Sequence, residues 1–182
     1  MPNKTFFPFV VIIALLIVDS FLINELTLEQ ADKKFPAFCA KNFAGEILTE
    51  KIFMGKVTVL CIWDTKNNQC ADLLKKLAAL AVPSNVQIIG LVGDKNFADA
   101  EKIAIKNSPS IPQILANDDF LPILSKIRAV PTTILIDEGG NLIGQPVTGA
   151  EIKFIQLEIS HALEKNSPRS QALRKIHAAL FR

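Results

Sequence analysis

An α/β fold, with a sheet parallel in its centre and antiparallel at one edge, is predicted by three observations. Val57-Thr-Val-Leu-Cys-Ile-Trp63 carries no charge, as expected of a strand covered on both faces. It runs through a short polar turn into a helix on which Leu73, Leu74, Leu77 and Leu80 share helical spacing. Strands and helices then alternate until a hairpin closes the chain, Thr132 to Asp137 and Leu142 to Val147 flanking the turn Glu138-Gly-Gly-Asn141.

At 182 residues the chain suits one domain plus an appendage. A net charge of +2 gives no field for nucleic acid, and no nucleic-acid partner is expected. Residues 1–25 are read as a signal anchor or a cleaved signal peptide. Phe6 to Val18 is apolar after a single Lys4, and Phe21 to Ile23 extend the run to the lower limit for a bilayer span of about 18 residues. Asp19, Ser20, Phe21 and Leu22 make a poor cleavage site, which favours the anchor. Either reading exports the rest of the chain. Residues 26–34 are a polar spacer.

The domain proper is expected over 35–165. It opens with a short hairpin whose turn is Asn42 to Gly45. The central strand and its helix follow, Asn67 capping the helix, which ends near Pro83. Asn85 to Val92 is a second buried strand, and Phe97 to Lys106 a helix. Ile111 to Leu115 is a short strand whose Pro112 suggests an edge position. Asp118 or Asp119 caps a helix to about Ile127, with Pro122 in its first turn. Glu151 to Lys165 is a helix with Ile152, Ile155, Ile159 and Leu163 on one face. The tail 166–182 is basic and amphipathic, either docked as a helix or laid on an anionic membrane.

Two runs carry a resemblance. Trp63-Asp-Thr-x-x-x-x-Cys70 and Val130-Pro131-Thr-Thr-x-Leu-Ile-Asp137, in this element order, resemble the thioredoxin superfamily, specifically its membrane-anchored TlpA/ResA-like (redoxin, AhpC/TSA-type) branch. The resemblance spans roughly residues 35–165. It implies a thioredoxin-like fold, with a central mixed sheet flanked by helices, an N-terminal hairpin and a strand–helix insertion before a cis-proline. Pro131 would be that proline. Val130 would pair through its backbone with an extended substrate segment.

The departure from the family lies at the helix start. Where the family has Cys-x-x-Cys, this chain reads Asn67-Asn68-Gln69-Cys70. The missing sulfur is the attacking one, and an amide cannot attack a disulfide. Dithiol exchange needs two sulfurs passing two electrons through a mixed disulfide. Cys61 stands where relatives place a buried polar side chain behind the second Cys. Cys61 and Cys70 are then small buried hydrophobes, or a second pair of thiols. Cys39 falls on the hairpin, in ordinary packing or as an exposed thiol. With three cysteines in an exported chain, at least one is left unpaired inside it.

Two readings of function follow. In the first, a membrane-tethered protein with a degenerate site binds an extended segment of an exported partner through Trp63, Asp64, Asn67, Val130 and Pro131. In the second, an enzyme uses Cys70 alone with a small thiol, or Cys70 with Cys61. A peroxidatic Thr-x-x-Cys is absent, since Asn68 follows Thr65 at that spacing. A copper site wants two Cys and a His, and only Cys70 is near the turn. No zinc spacing exists, and no cofactor or metal is expected.

Overall fold

The computed structural model describes residues 33–165. The segments expected at 1–25 and 166–182, and nearly all of the spacer, lie outside them. No helix among the described residues is long and apolar enough to cross a membrane.

Seven strands form one sheet: β1 (Cys39–Lys41), β2 (Ile47–Thr49), β3 (Val57–Trp63), β4 (Val86–Val92), β5 (Gln113–Leu115), β6 (Thr132–Ile136) and β7 (Leu142–Thr148). Their order across the sheet is β2-β1-β5-β4-β3-β6-β7. Strands β3, β4 and β5 pair in parallel, whereas β6 and β7 add antiparallel to β3, and β1 and β2 to β5. The helices are α1 (Asn68–Ala78), α2 (Phe97–Asn107), α3 (Leu121–Leu124) and α4 (Ile152–Lys165). This is the mixed sheet flanked by helices that the sequence predicts.

Every residue of β3 is buried, so the strand divides the core in two. Alternate side chains of a strand point to opposite faces. Val57, Val59, Cys61 and Trp63 meet Leu73, Leu74 and Leu77 of α1, Ala100 and Ala104 of α2, and Ile155 and Ile159 of α4. Leu60 and Ile62 face the other way, toward Phe35, Phe38, Phe53, Phe120 and Ile123. The Phe38 and Phe120 rings are centred 4.7 Å apart and Phe35 and Phe53 5.0 Å, close enough for edge and tilted contacts.

Four expectations are corrected. β5 is interior, between β4 and β1, because Pro112 precedes it and contributes only its carbonyl, to the Gly90 N–H at 2.9 Å. Asn117, not Asp118 or Asp119, caps the next turn, its side chain accepting from the Asp119 N–H at 3.2 Å. That segment is a 3-10 turn, Asp118–Phe120, leading into α3, which ends at Leu124. Helix α1 stops at Ala78, short of Pro83.

Candidate functional site

The carboxyl ends of the parallel strands β3 and β4 lie side by side, in register from Val57 with Val86 to Trp63 with Val92. The chain leaves β3 through Asp64 to Asn67 and enters α1. Such crevices at strand ends are where open α/β sheets hold ligands.

The turn is held by its own carboxylates. Asp64 Oδ1 accepts from the N–H groups of Lys66 and Asn67, each at 3.0 Å. Asp94, just past β4, accepts from both the N–H and the hydroxyl of Thr65 at 2.7 Å. Partial burial of Asp94 pushes its pKa up, but hydrogen bonds from Thr65 and Asn96, aided by Lys66, outweigh it and hold the carboxyl below its usual value. Asp94 is a site-shaping residue that no motif in the sequence singles out. The adjacency of β3 and β4 is the signal that would have found it.

Asn67 does two jobs. Its Oδ1 accepts from the Gln69 N–H at 3.0 Å, capping α1. Its Nδ2 donates to the carbonyl oxygen of Val130 at 2.5 Å. The Val130–Pro131 peptide bond is cis, Pro131 is buried and Val130 half-buried. The loop before β6 is tied down further. Thr132 Oγ1 donates to the Ala129 carbonyl at 2.7 Å, and the Gly149 N–H to the Pro131 carbonyl at 2.8 Å. The fold thus brings Asp64, Asn67, Cys70, Val130 and Pro131 to one place.

Trp63 does not join them as a surface. It is fully buried, and its indole N–H donates to Gln113 Oε1 at 3.0 Å. It backs the turn from inside the core, so its expected place in a binding groove is corrected. Gln113, whose signal in the sequence was no more than a polar residue in a short strand, is held in turn by the Ile111 carbonyl at 3.2 Å.

Cys70 has 1% of its surface exposed. Its thiol points at Asp64 Oδ1 across 4.0 Å. Burial pushes its pKa up to about 11; a backbone hydrogen bond at Asp64 opposes the rise, and the charges of Asp64 and Asp94 add to it. At pH 7 roughly one Cys70 in ten thousand is then the nucleophilic thiolate. Cys61 is fully buried, and burial drives its thiol far up, with Cys70 nearby adding to the shift. Opposite it on β6, Thr133 has a buried hydroxyl without a nitrogen or oxygen partner. Both cysteines are free thiols. Cys39 is exposed on β1, three strands from β3, and takes no part in this site. No group of three or more candidate metal ligands occurs among the described residues.

No family model and no curated protein match this sequence. Solved structures do resemble the fold. A candidate thiol:disulfide interchange protein DsbE from Chlorobium tepidum superposes with a TM-score of 0.61 at 20% identity, over 72% of this chain and 96% of that one. A candidate thioredoxin from Neisseria meningitidis gives 0.62 at 19% identity, over 75% and 93%. A thiol:disulfide interchange protein from Bacteroides sp. gives 0.57 at 20% identity, over 69% and 86%. The chain therefore has a thioredoxin-like fold.

Proposed function

We propose that this chain is a membrane-tethered, extracytoplasmic thioredoxin-like protein of the TlpA/ResA type. Its degenerate site binds an extended segment of an exported partner and does not run dithiol exchange. The observation that carries the reading is the Asn67 carboxamide, standing where an attacking thiol would be and bonded to the Val130 carbonyl at 2.5 Å. The remaining sulfur supports it, because a buried thiol with a pKa of about 11 is a poor nucleophile at neutral pH. The tether and the export rest on the apolar run Phe6 to Ile23.

The full-length chain, incubated with a protein disulfide substrate and dithiothreitol, is expected to give no reduction above the reagent alone. Catalysis that is lost in Cys70→Ser would instead establish the thiol enzyme. Cell fractionation tests the tether: a shortened, fully soluble mature form would remove it.

A further inference from the structure

The backbone of the loop before β6 is one-sided in its hydrogen bonding. All three carbonyls from Ala129 to Pro131 are occupied from within the chain. Ala129 O takes the Thr132 hydroxyl, Val130 O the Asn67 amide and Pro131 O the Gly149 N–H. Among the described residues, no hydrogen bond is made by the Val130 N–H. Pro131 has no N–H to give. An antiparallel hydrogen-bonded pair normally exchanges two bonds, one through the N–H and one through the C=O of each residue. At Val130 the first is open and the second is filled.

We infer that Asn67 converts the groove at Val130 into a donor edge. The segment it takes then presents a backbone carbonyl there and needs no N–H, which is the chemistry of a proline-containing extended peptide. This inference rests on the peptide-binding reading above. A proline lacks the N–H that an ordinary ladder would require and still offers its own carbonyl to the Val130 N–H. An ordinary residue at that position brings an N–H that finds the Val130 carbonyl already engaged. Its alternatives are to share that oxygen's second lone pair or to lose a solvent hydrogen bond without replacement. Asn67 Nδ2, bonded to the Val130 carbonyl through one proton, also keeps a second proton to donate. The preference is therefore set by a side chain that also caps α1, and a change of that side chain alone is expected to move it.

The test uses two immobilised nonapeptide libraries with random flanks, one with proline and one with alanine at the central position. The full-length chain is expected to retain the proline-centred set roughly threefold or more over the other, the ratio one hydrogen bond supplies. Asn67→Ser keeps a helix cap but is too short to reach Val130, and is expected to lose that preference. In nitrogen–proton correlation spectra, bound proline peptides are expected to shift the Val130 amide and leave the Asn67 side-chain amide hydrogen-bonded. Equal retention of the two sets, the same preference in Asn67→Ser, or an unmoved Val130 amide would overturn the inference and leave the peptide-binding reading standing. Retention of neither library overturns the peptide-binding reading itself, and the inference with it.

Discussion

The indole N–H of Trp63 donates to Gln113 Oε1 across 3.0 Å, and that same Gln113 side chain lies directly over Gly90. A Cβ at position 90 would overlap Gln113 Oε1. One glycine on β4 therefore makes room for the glutamine that satisfies the buried tryptophan behind the turn. Gly90→Ala is expected to displace Gln113, orphan the indole N–H and cost about 1–3 kcal/mol in urea unfolding. Gln113→Ala removes the obstruction, so Gly90→Ala should cost markedly less in that background, a non-additivity that marks direct contact. Additive costs would show that the two residues act separately. Trp63 is the only tryptophan, so its fluorescence follows the loss of the hydrogen bond directly.

Most of the fold is legible in the sequence because strands and helices announce themselves by period. The charge-free run Val57 to Trp63 and the leucines of α1 leave little choice. The placement of β5 is not legible, since three residues hold no period and Pro112 points to an edge it does not occupy. Asn117, Asp118 and Asp119 all have capping side chains, and only backbone geometry picks the first. At the site, Asn67 can be recognised by its position in the motif. Its bond to Val130 joins residues 63 apart in the chain and exists only through the fold. Trp63 shows the converse: its amphipathic ring fits a groove or a core equally well, and burial decides.

The two functions of Asn67 can be separated. Asn67→Ser retains a capping oxygen and loses the Val130 bond, whereas Asn67→Ala loses both. The alanine variant is expected to be about 1 kcal/mol less stable than the serine variant, the usual worth of a helix cap. Denaturant midpoints of the two proteins give this difference. Equal midpoints would mean that Gln69 N–H finds another acceptor.

Alkaline pH should weaken the protein through its thiols. The folded-state pKa of Cys70 lies at about 11, above its ordinary 9.0, and Cys61 is raised in the same direction. Between those values the unfolded chain has released a proton that the folded chain still holds. Stability is therefore complete below about pH 9 and falls as pH rises through 11, by roughly 2–3 kcal/mol for Cys70 alone. The double variant Cys61→Ala, Cys70→Ala should show a flatter decline in pH-dependent urea unfolding. Alkylation of Cys70 should stay slow to about pH 9. In Asp64→Asn, which removes a nearby negative charge, its onset should move to lower pH. An onset near pH 7 in the parent chain would contradict the burial argument.

Asn67→Cys restores two sulfurs at Cys-x-x-Cys spacing on a turn that is otherwise intact. The new thiol would sit at the α1 N-cap, where the helix dipole and the first N–H groups favour a thiolate. Attack on a disulfide substrate would form a mixed disulfide through the sulfur introduced at position 67. Cys70 would then displace the substrate thiol, closing a disulfide between the two protein sulfurs and leaving the substrate reduced by two electrons. The variant is expected to reduce a protein disulfide with dithiothreitol as the electron source, and to lose that activity when Cys70 is also changed to Ser. Its oxidised form should resist alkylation until reduced, whereas the parent chain under the same oxidant keeps Cys70 as a thiol. The cost is the cap and the Val130 bond, so the variant should also unfold at lower urea than the parent when reduced. An inactive but folded Asn67→Cys protein would show that the block lies elsewhere in the turn, with the Asp64 carboxylate beside Cys70 as the next group to change.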